Sequence, residues 1–216
     1  MLEYKHMPYA NSIKSLEKDN IYHLYARGIN KNDIFKEASD YLFFKYLFKK
    51  YLSKNFKEKR KIGGKILYFP VNSVSEEVEL YCYCLMKNHF HLIVKNKSLK
   101  GISHLMLRVL SNYATYFNKK YKREGPVIQG SYRAVNIMSD DLLIYIARYI
   151  HLNPYKAKIV SQVRDYKYSS YENYLYNKST SWLKIEDIIL KSTNWSIIER
   201  YSDTIQENPK TGILLY

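Results

Sequence analysis

The chain has 216 residues, with 35 Lys and Arg against 20 Asp and Glu, a net charge of +15 at pH 7. That excess implies a polyanionic partner, nucleic acid or an anionic membrane, and aromatics at 16% exclude disorder for most of the chain. The sequence has no apolar run long enough for a membrane span, and Cys82 and Cys84 alone make neither a disulfide framework nor a closed zinc site. Met1 to Asn20 carries no apolar secretory core, so a reducing, cytoplasmic setting is expected. The length fits one domain, or one domain with a tail.

Tyr22 to Gly28 reads as a strand closed by a glycine turn, and Asn30 to Asp33 as a turn. Leu42, Phe43, Tyr46, Leu47 and Tyr51 recur with helical spacing from Ser39 to Leu52. Lys54 to Lys65 is basic, contains Gly63-Gly64, and reads as a mobile loop. Val78 to Met86 and His89 to Lys95 read as the two strands of a hairpin broken at Lys87-Asn88. Ser98 is positioned to cap a long amphipathic helix whose stripe runs from Leu99 through Leu105, Val109 and Tyr113 to Phe117, stopped by Gly125-Pro126. Val127 to Ile137 is extended. Asp140-Asp141 opens a helix over Leu142 to Leu152 that ends near Pro154. Strands and helices alternating irregularly, with hairpin-like joins, predict an α+β fold with an antiparallel sheet layered by helices.

Two patterns carry chemistry. In His89-Phe90-His91 the period of two puts both imidazoles on one face of a strand, with Phe90, Leu92 and Val94 on the other. Two imidazoles so placed can hold one divalent ion and leave coordination sites open; the same spacing also describes two histidines on a half-exposed strand. In Arg148-Tyr-Ile-His-Leu-Asn-Pro154, Tyr149 and Asn153 are i and i+4 on one helix face. A phenol there can attack phosphorus while an amide touches the ion that polarises it. A core tyrosine and an asparagine capping a first-turn proline fit the same string.

These strings resemble a known family. Leu85-Met-Lys-Asn-His-Phe-His-Leu92 is similar to the MPNHxHL signature of single-tyrosine transposases, whose paired histidines form the HUH motif. Arg148 to Pro154, followed by Lys156-Ala157, resembles the RYIxLNPVRA segment of the REP-associated tyrosine transposase branch. Arg27-Gly28-x-Asn30 with Ile34-Phe35, Gln129-Gly130-x-Tyr132-Arg133 and Tyr168-Ser-Ser-Tyr171 resemble further strings of that branch, in family order, across about residues 20–175. Lys87 replaces the usual Pro, Tyr155 the usual Val, and Ser131 an Arg. The resemblance implies a ferredoxin-like HUH fold and cleavage of single-stranded or hairpin DNA with Mg or Mn, through a 5′-phosphotyrosine that leaves a free 3′-OH. It makes His89 and His91 metal ligands, Tyr149 the nucleophile and Asn153 an amide ligand. The expected organisation is a transposase domain over 1–175 and a C-terminal extension of unplaced role over 176–216. Relatives differ between monomer and homodimer, which leaves both open here.

Between Lys45 and Lys65 nine basic residues face one acid, Glu58, with Tyr51 and Phe56 interleaved. Cations that follow a backbone and aromatics that stack bases are the logic of single-strand binding, which nominates Lys57, Lys59, Arg60 and Lys61. Arg27, Asn30 and Arg133, within the family-like strings, are candidate DNA contacts. The rival readings are a DNA-binding protein of the same fold that has lost its chemistry, and a rolling-circle replication initiator. A zinc hydrolase needs a third strong ligand and a water-activating carboxylate, for which the sequence offers no motif.

Overall fold

The computed structural model describes residues 16–191. The chain forms β1 (Ile21–Arg27), α1 (Ala38–Leu52), β2 (Lys57–Ile62), β3 (Lys65–Pro70), β4 (Val78–Met86), β5 (His89–Asn96), α2 (Gly101–Tyr121), β6 (Arg133–Ile137) and α3 (Asp140–Lys156), then short α4 (Tyr171–Leu175) and α5 (Glu186–Ile189). Four strands make an antiparallel sheet in the order β4-β5-β1-β6, and β2 and β3 pair apart from it. Without the β2–β3 insertion the chain runs β-α-β-β-α-β, with the second strand beside the third, then the first, then the fourth. That is the ferredoxin-like arrangement, as the family resemblance implied.

Register gives the sheet two different faces. Leu24 lies beside Leu92 and Ala26 beside Phe90, on an apolar face covered by α1 and α2. There Phe44 of α1 meets Phe90 at 5.4 Å and Tyr113 of α2 at 4.9 Å between ring centroids. On the opposite face Tyr25 lies beside His91 and Arg27 beside His89. This face is covered by α3, whose His151 approaches Cys82 Sγ at 3.3 Å. The polar residues of the sheet are therefore gathered on the α3 side.

Helix ends follow from local chemistry, with corrections to the sequence reading. α1 starts with a reciprocal capping box between Glu37 and Asp40. Ser98 does not cap α2: its hydroxyl bonds Glu77, and Asn96 Oδ1 accepts from Ile102 N at 3.0 Å. α2 stops at left-handed Lys122 (φ 49°), before Gly125-Pro126 is reached. α3 begins at Asp140, capped by Ser139 at 3.2 Å from Leu142 N, and continues through Pro154 to Lys156. Pro154 has no N–H for the Ile150 carbonyl. Asn153 Nδ2 reaches that carbonyl at 3.5 Å while donating to Tyr149 O at 2.9 Å, which braces the turn. Asn153 is thus a helix-interior residue and not an N-cap.

The basic segment is not a loop. Gly63 and Gly64, at φ 55° and 81°, form the two-residue turn of the β2–β3 ribbon; positive φ at both central positions matches the twist of a tight hairpin. Beyond α3 the chain lies along the free edge of β4. Leu85 N donates to Tyr168 O and Ser170 N to Tyr83 O, both at 2.9 Å, and Lys184 N donates to Leu80 O at 2.8 Å. This covers the sheet edge, and Leu183, Ile185 and Ile188 are buried with it. The first part of the expected extension over 176–216 therefore packs on the sheet; residues 192–216 lie outside the described residues, as do 1–15. Among the described residues no helix is long and apolar enough to cross a membrane.

Candidate active site

His89 and His91 occupy the α3-facing side of β5, with ring centroids 5.0 Å apart. Their backbone positions come from the two-residue Lys87-Asn88 turn, held by Ile34 N and Phe35 N, each donating to Lys87 O at 2.9 Å. Gly28 accommodates the same packing: a Cβ there would lie 2.1 Å from the Asn32 carbonyl oxygen.

Each imidazole is oriented through its Nδ1. Asn88 Nδ2 donates to Lys31 O at 3.2 Å, which turns Asn88 Oδ1 toward His89 Nδ1 at 2.7 Å. An oxygen acceptor there requires the proton on Nδ1, leaving a lone pair on His89 Nε2. His91 Nδ1 lies 2.9 Å from His23 Nε2, and the tautomer that donates from His91 likewise frees its Nε2. Both Nε2 atoms are buried and make no hydrogen bond among the described residues. Orphaned buried ring nitrogens cost stability, and two of them, each able to carry a lone pair, suit a divalent ion. Burial also keeps the rings neutral, the state a ligand needs. Desolvation lowers His89 to about 4, helped by the Arg27 charge, and His91 falls well below the ordinary histidine value through desolvation and its neighbours His23 and His89. Among the described residues no three His, Cys, Asp or Glu side chains are grouped to hold a metal; the groups here that could touch one are the two imidazoles and the Asn153 amide.

Tyr149 projects from α3 toward this pair, its ring 6.0 Å from that of His91 and nearly perpendicular to it. It is buried, at 4% exposure. The Lys156 ammonium lies 5.8 Å from the Tyr149 ring centroid. Asn153 shares the helix and the face, but its Nδ2 is engaged with the α3 backbone.

The fold brings His89, His91 and Tyr149 together, with Arg27 opposite His89 and Arg133 of β6 opposite Tyr25. Asn30 sits exposed in the 3-10 turn Ile29–Lys31 at φ 52°, and its neighbour Lys31 supplies the carbonyl that orients Asn88. Lys57, Lys59, Arg60 and Lys61 lie apart, on β2. Of these, Arg60 is engaged: it pairs with Glu58 at 2.6 Å and lies 5.1 Å over the Phe69 ring. Tyr51 is buried and offers no base-stacking surface. Sequence reading missed His23 and Tyr25. The available signal was their period-two alternation with Arg27 on β1.

Residues 49–153 match the family model described as transposase IS200 like. That segment belongs to the IS200-like transposase family. No curated protein matches the chain. A solved structure of a REP-associated tyrosine transposase bound to a REP hairpin is similar in fold, with 14% identity, a TM-score of 0.54, and coverage of 85% of this chain and 92% of that one. The transposase-matching segment contains both histidines and Tyr149, and it ends at Asn153.

Proposed function

We propose that this transposase-family protein binds single-stranded or hairpin DNA and cleaves it by transesterification, with Tyr149 as nucleophile and His89 and His91 as ligands of Mg or Mn. The observation that carries the reading is the pair of buried, unbonded Nε2 atoms beneath a tyrosine on the facing helix. When bound, a divalent ion supplies electrostatic activation of the scissile phosphate.

The chain's own groups do the rest. Asn88 holds His89 in the tautomer that exposes Nε2, and His23 does the same for His91 when it accepts the His91 Nδ1 proton. Tyr149 Oη attacks phosphorus and loses its proton; the P–O3′ bond breaks and the departing O3′ takes up a proton. The products are a 5′-phosphotyrosine and a free 3′-OH, and the reverse attack by a 3′-OH rejoins DNA. Packing of Tyr149 between α3 and the sheet limits the orientations its oxygen must search. Arg27 and Arg133 lie on the same sheet face, suited to phosphate. Asn153 fits a ligand role only if its oxygen turns to the ion while its Nδ2 keeps bracing α3.

The test is nicking of a labelled hairpin oligonucleotide with Mg or Mn. His89→Ala and His91→Ala should each abolish nicking and leave hairpin binding largely intact. Full cleavage by the double variant contradicts the site. A binding-only protein of the same fold predicts no cleavage by the unaltered chain.

A further inference from the structure

We propose that the β2–β3 ribbon is a duplex-binding arm, which lies in the groove of a DNA stem while the strand to be cut reaches Tyr149. The inference rests on the DNA reading above and names which part of the DNA the ribbon holds.

The ribbon projects from the body. From Lys57 to Pro70, only Glu58 and Phe69 are even partly shielded. An isolated two-stranded hairpin is marginal in water, so its root must be fixed. Glu58 does this: its carboxylate pairs with Lys50 of α1 and accepts from Tyr46 at 3.3 Å, and Val71 N donates to Phe56 O at 3.0 Å.

Register then sorts the ribbon into two faces. Lys57, Lys59 and Lys61 lie opposite Pro70, Tyr68 and Ile66, so one face sets three ammonium groups beside an apolar row. Tyr68 is 62% and Ile66 51% exposed. Neither side chain is used in core packing. Arg60 belongs to the other face, held by Glu58 and Phe69.

Shape selects the partner. A single strand is gripped in a groove with stacking walls, whereas this ribbon is exposed on both faces and forms no groove of its own. Two strands about 4.8 Å apart with their side chains match a major groove about 12 Å wide, which admits a β-ribbon. Lysines on one strand can meet phosphates along the groove wall, and Tyr68 and Ile66 can meet base edges and thymine methyls.

Position fits too. The ribbon root joins the Val78 end of β4 through Val74, whose N–H donates to Tyr51 O at 2.8 Å. His91 lies beside Cys84. Six residue steps along β4 separate Val78 from Cys84, about 20 Å at about 3.3 Å each. A stem rising about 3.4 Å per base pair covers that span in about six pairs.

The experiment uses the full chain carrying Tyr149→Phe, with and without Lys57→Gln, Lys59→Gln and Lys61→Gln together. Three probes are titrated over salt: a hairpin with a 12-base-pair stem and a single-stranded flank, the same hairpin with a four-base-pair stem, and the flank alone. The expected result is a long-stem salt slope shallower by up to about 2.7, from about 0.9 per lost phosphate contact. Binding of the flank and of the short stem should be unchanged. Tyr68→Ser should weaken the long stem alone. Equal losses on all three probes would assign the ribbon to single strands and overturn the proposal. So would no loss on the long stem. Cleavage is read separately on the chain with Tyr149 intact, so an uncleaved but ribbon-held stem would defeat the catalytic reading and leave this one standing.

Discussion

His23 and His91 face each other through nitrogen, Nε2 to Nδ1 at 2.9 Å, with both rings buried. One proton serves the pair, and where it sits decides whether His91 Nε2 has a lone pair. With the proton on His91 Nδ1, His23 accepts and His91 can ligate; with it on His23 Nε2, His91 cannot.

Replacing the acceptor should therefore weaken metal binding without touching a ligand. His23→Leu should lower Mn affinity about 10- to 100-fold, the usual cost of losing such an orienting partner, read by Mn titration with electron paramagnetic resonance. His23→Gln, whose side-chain oxygen accepts, should recover part of it. Unchanged Mn affinity in His23→Leu would show that the pair does not orient the site.

Acid should destabilise the fold through its buried histidines. Desolvation lowers His23 and His151 to about 3, whereas the unfolded chain titrates at about 6.5. The unfolded state binds more protons between those values, so stability is full above pH 6.5 and falls as pH drops toward 3, by about 1.4 kcal/mol per pH unit for each histidine. The His151 ring lies against Cys82 and bonds Ser170 at 2.8 Å, and His151→Gln should remove about one proton from that slope. Urea unfolding at pH 7 and pH 5 measures it; an unaltered slope contradicts neutral burial of His151.

The brace at the end of α3 can be separated from any ligand role of Asn153. Asn153→Ala should cost about 1 kcal/mol, because the Ile150 carbonyl loses its substitute donor. Restoring an N–H with Pro154→Ala should make the same Asn153→Ala change less costly, and a double-mutant cycle in denaturant reads the coupling. A coupling near zero would mean that the 3.5 Å contact to Ile150 O contributes nothing.

The parts of this protein governed by local pattern were legible in its sequence. The period of two in Asn88 to Val94 sets the His89 and His91 face, and Lys87-Asn88 marks the hairpin turn, because both depend only on neighbours in the chain. Tyr149 and Asn153 share a face for the same reason. The ribbon was misread because lysines on Lys57 to Lys61 hide a strand alternation that has no buried side, and Gly63-Gly64 signals a tight turn as readily as a loop. Pro154 looked like a stop because its brace is a side-chain contact that propensity does not contain. His23 was missed because its partner is 68 positions away, and only strand register brings the two together.

The residue that becomes attached to DNA identifies the nucleophile directly. The chain is incubated with Mg or Mn and a hairpin oligonucleotide, digested, and the nucleotide-bearing peptide is sequenced by mass spectrometry. Tyr149 should carry the adduct, and none should form in Tyr149→Phe, which keeps the ring packed against His91 and removes only the attacking oxygen. Tyr145→Phe, one turn earlier on α3, should form the adduct normally. An adduct on Tyr145, Tyr155 or any other tyrosine, or one that persists in Tyr149→Phe, would contradict Tyr149 as the nucleophile.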